Sequence, residues 1–324
     1  MLKRENSMML FGLSASESSL KGIGLFLFVY LGATFFAAAA TAPVYWAVQY
    51  LDSHFSLSLT KWMLGYEIDV FFDRLRWIPI ILGLPWVLAK CGLFSLRNLG
   101  ISFDRSHARM FLRFFLYGIG LSAFIFLMQL IFTKVVYDGN FTAKLAIKTL
   151  FSGLASGLIL GFLEELVFRG LIMRSIYTAW GVWSAMILSS LFFAYKHFKI
   201  PDSIWDNIPS FASCPPWDIG FSLAYYDTVA IASTFNLVPF LSLFMFGMLL
   251  CAIYLRTKSL MAPMALHAGI VFCIQNYRKY FTIYSDDPLR HIFGNAGMTN
   301  GYLALIILVA LFCIFAFKRD GKKV

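Results

Sequence analysis

Two adjacent carboxylates and a guanidinium lie in a stretch of sequence that is otherwise apolar. Glu164, Glu165 and Arg169 fall within six residues of one another, with leucine, valine, isoleucine and phenylalanine on both sides. A charge at the centre of a membrane helix costs at least ~2.5–3.5 kcal/mol, so these groups must face one another, a partner helix or water. Glu165 and Arg169 are four apart and are predicted to pair. Glu164 lies about 100° away around the axis and can face a different group. A salt bridge that only joins helices is the structural alternative.

The spacing of His197 predicts that it lies at the same depth as Glu164. The midpoint of the two positions is the Trp180-Gly181 step, which is a natural turn between two antiparallel helices. Both residues are then roughly 22–24 Å from the turn at 1.5 Å per residue. Phe193 lies one helical turn before His197 on the same face, where it can line a site with apolar surface.

A second histidine, His267, lies nine residues past Lys258 in a later apolar segment. If the helices project far enough, it can converge with Glu164, Glu165 and His197 in a polar cavity between the fourth, fifth and seventh helices. A glutamate beside two histidines can supply a general base and hydrogen-bond donors for hydrolysis. A single histidine in such a place is otherwise a core residue.

The composition predicts an all-α, polytopic membrane protein. The 324 residues are 60% hydrophobic and 14% charged, with a mean hydropathy of +0.73, whereas soluble domains are about 25% charged. The net charge of +10 comes without a basic run or basic–aromatic interleaving, so we expect a lipid bilayer and not nucleic acid as the partner. The five cysteines are scattered without a C-x-x-C pair, which argues against a disulfide scaffold and a zinc–thiolate site.

Eight apolar segments are predicted to span the membrane, each approaching the ~20 residues that a bilayer needs. Lysine and arginine are biased toward one side, which predicts that both termini are cytoplasmic. The predicted spans are 22–48, 72–89, 110–133, 148 through the two glutamates, 182–198, 236–255, 260–276 and 301–317.

The whole chain, 1–324, is interpreted as a single integral membrane domain with a catalytic core at 148–276. Within the core, 199–235 is predicted to be an interfacial insertion, because it combines prolines and acids with tryptophan and tyrosine, which favour the membrane–water interface. Gly153, Gly157 and Gly161 recur every four residues just before the carboxylates, a spacing that lets a neighbouring helix approach closely.

Together these residues resemble a known family, the CAAX protease and bacteriocin-processing family. Its members are glutamate intramembrane proteases related to the type II CAAX prenyl endopeptidase. The resemblance covers roughly residues 148–276. It is carried by Glu164-Glu165-x-x-x-Arg169, Phe193-x-x-x-His197 and the later His267.

The third motif departs from the family pattern. Four residues after the histidine the family usually carries Asn or Asp, and here that position is Val271. Gln275, two turns after His267 on roughly the same face, is the candidate substitute. The departure concerns the group that stabilises the oxyanion more than the base.

The resemblance implies an intramembrane endopeptidase that acts on a membrane protein or peptide, lipidated substrates included, without a cofactor. Glu164 would activate water, His197 would hold it, His267 would donate to the oxyanion, and Glu165 with Arg169 would form the supporting ion pair. The loop charges fit a bacterial cytoplasmic membrane, where such proteins process other peptides or provide bacteriocin immunity.

Two alternatives remain open at this point. Two histidines and a glutamate also form the ligand set of a catalytic zinc ion, although no H-E-x-x-H motif is present. A non-enzymatic alternative is a proton-coupled carrier or an immunity protein, because intramembrane Glu/His clusters also relay protons. The absence of an inverted repeat weakens the carrier interpretation.

Overall fold

The computed structural model describes residues 20–92, 95–97, 99–137, 139, 141–197, 215–284, 286–295 and 297–317. The described chain is almost entirely helical, with one two-stranded ribbon. The helices are α1 (Leu20–Phe55), α2 (Ser58–Leu64), α3 (Ile68–Lys90), α4 (Arg105–Phe132), α5 (Ala143–Glu165), a π-helix (Leu166–Met173), α6 (Arg174–Lys196), α7 (Ile219–Thr234), α8 (Leu237–Thr257), α9 (Met261–Tyr280), α10 (Arg290–Phe293) and α11 (Tyr302–Phe317). The strands β1 (Val135–Tyr137) and β2 (Phe281–Ile283) pair antiparallel.

Within the described residues, four helical runs are long and apolar enough to cross a membrane by length and composition. They are Lys21–Phe55, Arg105–Phe132, Ala143–Lys196 and Leu237–Thr257, and Tyr302–Phe317 is a shorter apolar helix. This finding supports an all-α integral membrane protein but does not confirm eight spans. The charges of Asp73, Arg74 and Arg76 interrupt the predicted second span, and the run of 54 residues merges the predicted fourth and fifth spans.

The chain divides into two compact units. The larger unit comprises residues 92–195 and 236–317 of the described chain, and the smaller unit comprises 21–91 and 196–235. The larger unit therefore contains α4, α5, most of α6, α8 and α9, whereas α1, α2, α3 and α7 form the smaller one.

In the larger unit, α9 packs against both α4 and α5. The three predicted glycines of α5 are buried and face α9. A Cβ atom at Gly157 would lie 2.5 Å from the carbonyl oxygen of Ala268, and one at Gly161 would lie 2.9 Å from that of Met264. These backbone contacts leave no room for a side chain, so the ladder sets the register between α5 and the helix that carries His267.

The stretch after Glu165 is a π-helix and not a continuation of the α-helix that the sequence predicts. All eight of its residues, from Leu166 to Met173, are buried. A π-helix closes i→i+5 hydrogen bonds. Such segments are rare in proteins, and those that occur are often at functional sites. The turn predicted at Trp180-Gly181 is present: Gly181 has φ 85° and ψ −179°, a conformation that essentially only glycine adopts.

The smaller unit has its own apolar core and its own ion cluster. Its core includes Ala38, Phe72 and Leu223. Asp227 accepts hydrogen bonds from Arg76 (2.5 Å) and from Lys196 (3.2 Å). Of the predicted insertion 199–235, residues 199–214 lie outside the described part of the chain, and 219–234 form the helix α7.

Candidate active site

Glu165 lies at the centre of a buried polar cluster in the larger unit. Its side chain is 0% exposed, and its Oε1 atom accepts a hydrogen bond from Nη1 of Arg169 at 2.8 Å, the pair that the four-residue spacing predicts. The same oxygen lies 3.0 Å from Nδ1 of His267. Arg169 also donates through Nη2 to the carbonyl oxygen of Gly247 at 3.0 Å. One carboxylate oxygen therefore orients both a guanidinium and an imidazole.

The imidazole of His267 is enclosed by aromatic side chains. The ring of Phe193 lies 6.0 Å away at 71°, and the ring of Phe246 lies 5.3 Å away at 90°, both between centroids. Because a carboxylate can only accept, the proton on the Nδ1 side points at Glu165. A carboxylate on one nitrogen fixes the orientation of the ring and leaves the other nitrogen to face a different group.

Glu164 faces that other nitrogen. Its Oε2 atom lies 4.0 Å from Nε2 of His267, which is longer than a direct hydrogen bond. The Glu164 side chain is 15% exposed, in contrast to the fully buried Glu165. The two adjacent glutamates therefore contact opposite nitrogens of one imidazole and differ in their access to a ligand.

The arrangement follows from two local features. The glycine ladder of α5 brings the backbone of α9 against it, so that His267, between Met264 and Ala268, lies beside the glutamates. The π-helix then presents Arg169 to Glu165 and stacks its guanidinium over Phe193, with Cζ 4.8 Å from the ring centroid. Backbone packing of two helices thus positions four polar side chains.

His197 belongs to the smaller unit, so its meeting with Glu164 and His267 stays a prediction. It follows α6 by one residue and is half-buried. Gln275 is exposed on α9, and Val271 is half-buried one turn after His267. Among the described residues no group of three or more His, Cys, Asp or Glu side chains has the arrangement of a metal site.

Two contributors to the site were not predicted from the sequence. Gly247 supplies a backbone carbonyl to Arg169, and Phe246 packs on His267. Both lie in the apolar helix α8, where a phenylalanine beside a glycine gives no functional signal. Close packing is the reason for the glycine, since a Cβ atom there would lie 2.8 Å from Cβ of Ser190.

Comparison with known proteins finds one family model that matches the segment containing this cluster. No curated protein and no solved structure matches the chain. Residues 146–273 match the family model of the type II CAAX prenyl endopeptidase Rce1-like proteins, and this segment contains every residue of the three motifs. An endopeptidase family supports a peptidase activity. The match confirms the resemblance predicted from the motifs and identifies residues 146–273 as the part of this integral membrane protein that is similar to the Rce1-like CAAX endopeptidases.

Proposed function

We propose that this protein is an intramembrane endopeptidase of the glutamate type. It hydrolyses a peptide bond of a membrane-associated protein or peptide, with a water molecule activated by Glu164. The observation that carries the proposal is the placement of Glu164 Oε2 opposite Nε2 of His267, within a segment that matches an endopeptidase family.

Glu164 is proposed as the base because Glu165 is fully buried and already contacts two other side chains of the site. Oε1 of Glu165 contacts both Arg169 and His267, and its side chain is fully buried. The Glu164 side chain is 15% exposed, so we propose that it is the carboxylate that water and a peptide reach. It would take a proton from water as the oxygen attacks the peptide carbonyl, and would then give that proton to the leaving amine.

His267 is proposed to stabilise the oxyanion of the tetrahedral intermediate through Nε2. When Glu164 takes the proton, its negative charge is replaced by that of the oxyanion on the same side of the imidazole. The donors of the site therefore need little rearrangement during the reaction.

The remaining roles are also proposals. His197 would hold the attacking water, and Phe193, which packs on both Arg169 and His267, would exclude other water from the ion pair. Gln275, which is exposed on α9, is the proposed substitute for the family's Asn or Asp. We propose a metal-free reaction in a bacterial cytoplasmic membrane, on a protein or peptide that includes lipidated forms.

The test compares protein termini in cells that express the wild type, Glu164→Gln or Glu67→Gln. Glu67 is an exposed glutamate in the smaller unit and serves as the matched control. We expect new termini of specific membrane proteins with the wild type and the control, and their formation to slow by about 10²–10⁴-fold with Glu164→Gln.

The protein must be shown to be folded in each case, by its elution and thermal unfolding in detergent. Retained cleavage by a folded Glu164→Gln variant would remove the assignment of the base. Loss of proton or solute flux, with all termini unchanged, would instead support the carrier.

A further inference from the structure

A polar cavity of about 390 Å³ lies at the C-terminal end of α9 in the larger unit. The polar residues that line it are Arg278, Thr282, Arg290, Asn295, Thr299 and Asn300, and none of the described lining residues is acidic. Its volume is within the range of about 300–1,000 Å³ that small-molecule sites occupy. None of the proposed catalytic residues contributes to it.

Within the described residues neither Arg278 nor Arg290 forms an ion pair. The carboxylate of Asp287, three residues before Arg290 in the sequence, already accepts two hydrogen bonds. Its Oδ2 accepts from the backbone N–H of Lys134 at 2.5 Å, and its Oδ1 accepts from that of Leu289 at 2.8 Å. Two like charges that line one cavity without a carboxylate favour an anion from outside the chain.

The neutral side chains also present donors to the cavity. Oδ1 of Asn295 accepts from the backbone N–H of Gly297 at 2.9 Å. Oδ1 of Asn300 accepts from the hydroxyl of Thr299 at 2.7 Å. Because each amide oxygen is used internally, the amide N–H groups are the part left for a ligand.

The loop that forms the cavity is held in place before any ligand binds. Gln129 of α4 is fully buried, and its Nε2 donates to the carbonyl oxygens of Phe293 (2.8 Å) and Asn295 (3.0 Å). Gly294 has φ 83° and lies against Gly301. Gln129 is three residues from the end of the candidate span Arg105–Phe132, so the cavity lies where that span ends.

We propose that this cavity binds a phosphate-class oxyanion. Guanidinium groups bind phosphate through paired N–H···O bonds, and the amide N–H groups add further donors. The phosphate can come from the headgroup of an anionic phospholipid or from free inorganic phosphate, since both present anionic oxygens to the same donors.

The test uses the purified full-length protein and does not involve peptidase activity. Binding is measured with inorganic phosphate in detergent, with vesicles of phosphatidylcholine alone, and with vesicles that also contain phosphatidylglycerol. Native mass spectrometry detects retained lipid, and thermal unfolding detects phosphate. The variants are Arg278→Gln with Arg290→Gln, and the control Lys279→Gln, which removes an exposed neighbouring charge that does not line the cavity.

We expect the double variant to bind about tenfold more weakly or worse, because each arginine makes charge-assisted hydrogen bonds, and the control to bind like the wild type. Retention of phosphatidylglycerol identifies the lipid source, and stabilisation by phosphate in detergent identifies the soluble one. Failure of the wild type to bind either, or an equal loss with Lys279→Gln, overturns the proposal. If the double variant does not fold, the single change at the exposed Arg278 gives the same comparison.

Discussion

Nδ1 of His267 lies 3.0 Å from Oε1 of Glu165, on the oxygen that also accepts from a guanidinium. This contact links α9 to the end of α5 through side chains, at the place where the glycine ladder links their backbones. It also fixes the direction of the imidazole, so that the opposite nitrogen faces Glu164. The orientation of the proposed oxyanion donor therefore depends on a glutamate whose side chain is fully buried.

Arg169→Gln is expected to destabilise the protein strongly. The substitution leaves the buried carboxylate of Glu165 without its cation, and breaking a buried pair in this way costs about 3–5 kcal/mol. Chemical unfolding in detergent measures the loss. Arg109→Gln makes the same change at an exposed position of α4 and should be close to neutral. Equal stability of the two variants would contradict a structural role for the ion pair.

Gly157→Ala is expected to reduce both stability and cleavage. Its Cβ would lie 2.5 Å from a backbone oxygen of α9, which cannot move as a side chain does. Overpacking of this kind costs about 1–3 kcal/mol, and it would shift His267 relative to Glu164. Gly120→Ala in α4 is the control, since nothing lies within 4 Å of its added Cβ. Unfolding and cleavage are measured for both variants. A Gly157→Ala protein with unchanged stability and cleavage would exclude close packing of α5 against α9 at this position.

The N-cap of α4 predicts a pH dependence of stability. The pKa of the Asp104 carboxyl is held well below its usual value, first by the hydroxyl of Ser106, and then by the backbone N–H of His107 and the hydroxyl of Ser102. Because the folded-state pKa is lowered, this stabilisation is fully present above the unfolded-state pKa and is lost as the pH falls through the folded-state pKa.

Asp104→Ala should therefore be less stable than the wild type at neutral pH. The difference in stability between the two proteins should disappear only at a pH below the usual range of carboxyl pKa values. Thermal unfolding across pH measures it. Asp104→Asn keeps a capping oxygen that does not titrate. The difference in stability between the Asn and Ala variants should therefore stay constant as the pH is changed. If the stability difference between the wild type and Asp104→Ala disappears at a pH above the usual carboxyl pKa, the ionised cap does not contribute as proposed.

The active protein is expected to hold well under one zinc ion per chain and to resist chelators. This experiment is informative because a carboxylate on Nδ1 of His267 would orient a zinc ligand as well as it orients a hydrogen-bond donor. Elemental analysis of active protein, before and after chelation, distinguishes a metal-free reaction from a zinc-dependent one. Stoichiometric zinc that is lost together with activity would favour the metalloprotease alternative with Glu164, His197 and His267 as ligands.

Much of the site could be predicted from the sequence because its signals are local. The four-residue spacing of Glu165 and Arg169 predicts their ion pair, and the ladder that includes Gly157 predicts close helix packing. The Trp180-Gly181 step predicts the turn. Each of these depends on helix periodicity or on the conformational freedom of glycine, which neighbouring residues determine.

The rest depends on tertiary contacts that the sequence does not encode locally. The carbonyl of Gly247 is a backbone group, so no residue type marks it as the acceptor for Arg169. The predicted count of eight spans is not confirmed by length and composition, because α3 and α9 combine apolar faces with charged residues. The π-helix is a third case, since i→i+5 bonding has no periodicity signal in a uniformly apolar stretch.

The π-helix makes the length of the stretch between Glu165 and Gly181 a constraint in itself. A π-helix closes i→i+5 bonds and so has more residues per turn than the 3.6 of an α-helix. If the same residues, 166–173, were α-helical, everything after them would be rotated about the helix axis. Phe193 would then leave its contacts with Arg169 and His267, although every motif residue would still be present. A relative that is α-helical in this stretch would therefore need fewer residues there to keep the same helix faces toward the cluster.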